Sequence, residues 1–183
     1  MERESWTDEE ITAGIRFLEK VKRNGGWWPT EECTRAAHGA MSAWAPELII
    51  FKHRWMESHI FRRWRKVLLT VYEGGIQEFR GRWHVPGGYG TPRDVSFQSV
   101  CSRVGIAELK TDVWFIQVFP QPYLWLPGRK PEHPYGRPLS IYTLVRPHRT
   151  IRETDTCKFF GRHELPDNIL PVHRRFIKEF IFP

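Results

Sequence analysis

The sequence predicts an α+β fold, a mixed sheet sandwiched between helices and preceded by a helical N-terminal extension. Three observations predict it. Apolar residues recur at helical spacing before residue 44. Short β-branched and aromatic runs take over from Glu47 onward. Between them in character, Trp83-His84-Val85-Pro86-Gly87-Gly88 forms a glycine turn that feeds a helix-like stretch running to Leu109.

Taken in order, Thr7-Asp8-Glu9-Glu10 has the spacing of a capping box. Ile11, Ile15, Leu18 and Val21 then recur at three and four residues, so a helix is predicted over about residues 8–23, ended by Asn24-Gly25-Gly26. Pro29-Thr30-Glu31-Glu32 opens a second, shorter helix carrying Ala36, Ala37, Ala40, Met41 and Trp44 and stopping before Pro46. Two helices joined this way suit either a DNA-reading helix-turn-helix or a packing collar, and the second helix is not clearly basic. Residues 1–43 are therefore read as a helical extension and 44–183 as the main domain.

Leu48-Ile49-Ile50-Phe51 and Val67-Leu68-Leu69-Thr70-Val71-Tyr72 read as buried strands. The connection between them, with Lys52-His53-Arg54 and Arg62-Arg63-Trp64-Arg65-Lys66, is basic and interleaved with aromatics. It is either a holder of RNA or polyphosphate or a solvated loop. Val113 to Phe119 and Leu139 to Val145 are two further strands. They flank Pro120 to Pro138, a connection with six prolines in which Tyr123, Trp125, Arg129 and Lys130 suit a lid over a nucleotide or sugar. Cys157 to Phe160 reads as a strand, and His173 to Phe180 as a final helix with Phe176, Ile177 and Phe180 on one face.

In the glycine turn, Gly87 and Gly88 let the backbone approach a ligand closely, and a following helix brings a partial positive charge. Phosphate is the first ligand to consider there, with Arg93 just beyond, and a plain hairpin turn is the alternative. A net charge of +7 fits an anionic partner without separating nucleotide from nucleic acid. Nine tryptophans and twelve phenylalanines exceed the needs of a plain core, so some are expected to line a groove. Three widely spaced cysteines fit a reducing compartment, no window reaches membrane-spanning length, and the chain is expected to be soluble and cytoplasmic; a homodimer is left open.

These residues together resemble the Nudix hydrolase family over about residues 46–180. Val67-Leu68-Leu69, Trp83-x-Val85-Pro86-Gly87-Gly88, and Phe159-Phe160 with Glu164-Leu165-Pro166 carry the resemblance. The family signature runs G, five residues, E, seven residues, then R-E-U-x-E-E-x-G-U. Asp94 stands in its first acidic place, and Arg103 matches its arginine with one residue inserted. Val104, Ala107 and Glu108 stand where the family carries three glutamates, and Lys110 replaces its last glycine. The reduced pattern is nearer to the GDP-mannose mannosyl hydrolase branch than to the ordinary pyrophosphohydrolases.

The resemblance implies a Nudix-type α/β/α sandwich and hydrolysis of a nucleoside diphosphate derivative, nucleotide sugars included, with Mg2+ or Mn2+. It implies metal ligands at the Gly88 carbonyl, Glu108 and Glu153, and catalytic roles for Arg103, Glu108 and Asp155. The family's histidine base falls on Thr154, which cannot take a proton at neutral pH, so Asp155, His148 or no residue fills that role. Each has an ordinary reading: Glu108 as a helix-surface carboxylate, Arg103 as a salt-bridging or phosphate-steering arginine, Glu153 as part of a charged turn. The competing class is a lapsed Nudix domain that binds nucleotide or RNA without turnover.

Overall fold

The computed structural model describes residues 7–23, 44–53, 57, 64–91, 93–120, 123–124 and 139–183. Helix α1 spans Asp8–Arg23. Its capping box forms as read: Thr7 N–H donates to Glu10 Oε2 at 2.9 Å, and Glu10 N–H donates to Thr7 Oγ1 at 3.3 Å. The second predicted helix, from Pro29 to Trp44, lies outside the described residues apart from Trp44. That residue opens strand β1 (Trp44–Ile49) instead, so the chain is already extended two residues before Pro46.

Strands β2 (Val67–Val71), β3 (Trp83–His84), β4 (Val113–Val118), β5 (Tyr123–Leu124), β6 (Leu139–Pro147) and β7 (Cys157–Phe160) complete the β structure. One sheet has the order β1-β6-β4, with β5 also on β6; the other has the order β3-β2-β7. β1 runs parallel to β6, whereas β4 and β6, and β2 and β7, pair antiparallel, so the sheet is mixed as predicted. The two sheets meet where β1 ends: Leu68 N–H donates to Ile50 O at 2.9 Å and Lys52 N–H to Lys66 O at 3.0 Å. The pairs β3 and β5, two residues each, are too short to have shown an alternating pattern in the sequence.

Alternation along the strands sorts the core into two layers. Leu48, Ile50, Leu68 and Val145 face helix α2 (Phe97–Val104) and pack with its Val100, Cys101 and Val104. Ile49, Val67, Leu69, Tyr142 and Leu144 face the opposite way, onto Phe176 of the C-terminal helix α3 (Pro171–Phe176) and onto Ile177 and Ile181 of the π turn, Ile177–Ile181, that continues it. Helix α3 begins at Pro171, two residues earlier than read, because proline at a first helical position needs no N–H. Tyr142 and Phe176 stack at 3.5 Å between centroids and anchor that layer.

Helix α2 matters most for function. It runs Phe97–Val104 and continues as a wider π turn, Gly105–Leu109, that ends on Lys110 in the left-handed conformation (φ 57°). Ser96 caps it, accepting from Ser99 N–H at 3.1 Å while Ser99 Oγ accepts from Ser96 N–H at 3.0 Å. Ser96→Ala is expected to cost about 1 kcal/mol of stability, read as a lowered denaturation midpoint, because an amide at the helix start loses its acceptor.

Candidate active site

A cavity of about 750 Å3 opens between β2, the glycine turn, the π turn of α2 and the connection from β6 to β7. Its polar centre is built from Glu47 on β1, Thr70 on β2, His84 on β3, Glu108 on the π turn, Ser140 on β6 and His173 on α3. One wall is apolar, where Tyr72 and Phe79 meet edge to face at 5.8 Å beside Ile76 and Leu170. Lys110, Arg149 and Arg152 line it as well.

The polar groups are linked. Thr70 Oγ1 lies 3.1 Å from His84 Nε2 and donates to Glu108 Oε2 at 3.3 Å, while His84 Nε2 is 3.6 Å from the same carboxylate oxygen. Burial raises the Glu108 carboxyl to about 7, against the opposing pull of the Thr70 hydroxyl, the Gly87 N–H and the Lys110 ammonium. Burial pushes His84 down to about 4, so it is neutral at pH 7 and its contact with Glu108 is not an ion pair. Glu47 is deeper still. Burial holds its carboxyl well above the usual carboxylate range, the Ser140 hydroxyl at 3.0 Å pulls it back, and the charge of Glu108 adds to the rise. His173 accepts the Val85 N–H at Nδ1 (2.7 Å), which places its own proton on Nε2, 3.9 Å from Glu47 Oε1.

The glycine turn departs from the phosphate cradle expected of it. Its amides are spent inside the chain, because the turn pairs antiparallel with β1: Gly88 N–H donates to Pro46 O, Gly90 N–H to Trp44 O, and Leu48 N–H to Pro86 O. The Gly87 N–H goes to Glu108. The helix start points elsewhere too, since Ser96 and Ser99 line a separate shallow depression and cap each other. The glycines serve packing instead. A Cβ at Gly87 would fall inside the Glu47 carboxylate, and one at Gly88 would come within 3.2 Å of Val104.

The structure brings together Glu108, Gly87 and Gly88 from the expected site residues. Arg103 lies outside the cavity, holding Asp94 through Nε (3.0 Å) and Nη2 (2.9 Å) and donating to Tyr89 O at 2.6 Å. Glu153 also lies apart, in contact with Lys52 Nζ at 2.6 Å and accepting the Phe159 N–H at 3.2 Å; the lysine holds its carboxyl below the usual range. Asp155 is fully exposed and pairs with Lys158, and His148 lies tilted against the Trp114 ring at 4.8 Å between centroids. Neither lines the cavity, and neither does the exposed Arg93. Trp125, Arg129 and Lys130 lie outside the described residues, and Tyr123 is described only as part of β5.

Glu47, Thr70, Ser140, His84 and His173 went unread as site residues. For Glu47 a signal was present: a carboxylate inside the apolar run Ala45-Pro46-Glu47-Leu48-Ile49 has to be buried or break the strand.

Among the described residues, no three His, Cys, Asp or Glu side chains cluster as metal ligands. A smaller donor set remains. Pro46 accepts from Gly88 but has no N–H to return, so the ladder leaves the Gly88 carbonyl without its strand donor. That carbonyl and the Glu108 carboxylate fit Mg2+, which commonly takes one or two carboxylates with water and substrate phosphates completing its shell. Glu153, committed to Lys52, does not complete a protein cage.

No family model matches the chain, and no curated protein matches its sequence. Solved structures do. The NUDIX domain of NrtR from Shewanella oneidensis, in a complex with ADP ribose, superposes with a TM-score of 0.52 at 14% identity, over 87% of this chain and 94% of that one. A NUDIX hydrolase from Nitrosomonas europaea superposes with a TM-score of 0.50 at 17% identity, over 76% of this chain and 70% of that one. At these identities the likeness is one of architecture, and the chain has the Nudix fold.

Proposed function

Proceeding from the Nudix fold, we propose that the protein hydrolyses a nucleoside diphosphate derivative, with nucleotide sugars the first substrates to test. The observation that carries this reading is the position of Glu108. It sits in a cavity large enough for such a ligand, which Gly88 also lines with a carbonyl that lacks a strand donor, and next to an aromatic wall suited to a base or sugar. A divalent cation, when bound there, would supply positive charge to offset what develops on the departing phosphate. Glu108 and the Gly88 carbonyl would hold it.

The remaining residues prepare that site. Thr70 fixes Oε2 of Glu108, the Gly87 N–H gives the carboxylate a second hydrogen bond, and neutral His84 supports Thr70 without adding charge. Tyr72 and Phe79 exclude water along one wall. Because Glu108 keeps its proton up to about pH 7, activity is expected to rise as the pH passes that value. The test is a panel of nucleotide sugars and dinucleotides assayed with Mg2+ and with EDTA. Turnover in Mg2+ that EDTA removes supports the hydrolase; ligand binding in EDTA with no product at high enzyme concentration rejects it.

One observation favours a second reading, a Nudix-fold module that binds a nucleotide derivative without turnover. Val104 and Ala107 place apolar groups where the family carries two glutamates. The RNA form of that reading is weaker, because Lys52 and Lys66 of the basic connection are already paired with Glu153 and Glu164.

A further inference from the structure

If the cavity takes a diphosphate, that group needs cations, and the glycine turn cannot supply its amides. Arg103 is committed to Asp94, and Lys110 Nζ is drawn back to Ala107 O at 2.6 Å. Two exposed arginines among the lining residues are left, Arg149 and Arg152, on the connection between β6 and β7. Neither has a hydrogen-bond or ion-pair partner among the described residues. The carboxylates on the same connection are occupied, Glu153 by Lys52 and Asp155 by Lys158, and the one across the cavity on the β2 side, Glu73, makes no ion pair with either arginine.

The connection that carries them is anchored. Ile151, between the two arginines, packs into the core layer that contains Leu48 and Val100. His148 N–H donates to Asp112 O at 2.9 Å, and the backbones of Thr154 and Cys157 bond each other at the far end. Thr150 and Thr154 line the cavity alongside and add hydroxyl groups. Two arginines held on a fixed turn, with charges unspent, suit an anion with several oxygens, because each guanidinium can bind two of them in one plane.

We infer that Arg149 and Arg152 form the anion subsite of the cavity, binding the diphosphate of the ligand in place of the glycine-turn amides. This rests on the reading of the cavity as a nucleoside diphosphate site, but it is tested without a nucleoside. Inorganic pyrophosphate is titrated calorimetrically, in EDTA, into the full-length protein, the Arg149→Ala/Arg152→Ala variant and the Arg149→Lys/Arg152→Lys variant. A charge-matched control, Arg16→Ala/Lys20→Ala, removes two cations from the exposed surface of α1.

The alanine pair is expected to weaken pyrophosphate binding by at least about tenfold, as loss of charge-assisted hydrogen bonds predicts. The lysine pair should recover part of the loss, and the control should stay within about twofold of wild type. No pyrophosphate binding by the wild type, or equal losses in the alanine pair and the control, overturns the subsite. Arginine-dependent pyrophosphate binding combined with a substrate panel that neither binds nor turns over would sink the nucleoside diphosphate reading and leave the subsite standing.

Discussion

Glu108→Gln is expected to lower turnover at least about a hundredfold while making the metal-free protein more stable above pH 7. The two effects share one cause. The carboxyl titrates near 7 in the folded protein and near 4.5 when exposed. A folded value above the unfolded one means that the folded state holds the proton more tightly. The stability this gives is fully present below about pH 4.5 and is lost as the pH rises through about 7. The shift corresponds to about 3 kcal/mol at full ionisation, to be taken as an upper bound because water enters a cavity. Glutamine never ionises, so its advantage over the wild type should open between pH 4.5 and 8 and be absent at pH 4. Urea midpoints across that range check it, and parallel wild-type and variant profiles would show that Glu108 is an ordinary surface carboxylate. The activity loss follows separately, because an amide is a poor ligand for a hard cation.

Gly87→Ala is the second large effect, an expected loss of about 1–3 kcal/mol from overpacking. The added methyl would enter the Glu47 carboxylate, and Glu47 has little room to retreat: it is buried on β1, holds the Ser140 hydroxyl, and lies beside His173. The measurement is a double-mutant cycle with Glu47→Ala, reading thermal midpoints of the four proteins. Removing the carboxylate should relieve much of the Gly87→Ala penalty. Strictly additive effects would mean that the glycine is required for some other reason.

The strands and helices were legible because their patterns are local. The run Val67 to Val71, the period of Phe176, Ile177 and Phe180, and the Thr7-Glu10 cap each declare themselves within a few residues. The site was only partly legible. Glu108 was named because it stands where the resembling family carries a glutamate, and it does line the cavity. Glu153 was named as the late-loop ligand that the resemblance implies, but its carboxylate pairs with Lys52 and the Phe159 N–H and does not line the cavity. An ion pair between residues 101 positions apart leaves no trace in either local sequence.

What the sequence determined by itself was the order of the elements, the layers they would form, and a single carboxylate, Glu108, beside Val104 and Ala107 in the helical stretch behind the glycine turn. Hydrophobic period and residue identity are enough for that. Tertiary structure decided the rest. It turned the Pro-Gly-Gly segment from a cradle with free amides into a strand paired with β1, because Trp44 and Pro46 offer carbonyls where the turn has N–H groups. It gathered Glu47, Thr70, His84, Ser140 and His173 around Glu108 from five separate segments. Which amides are spent, and which carboxylates lose their water, depends on what lies across the fold, and burial of that kind sets the proton affinity of Glu108.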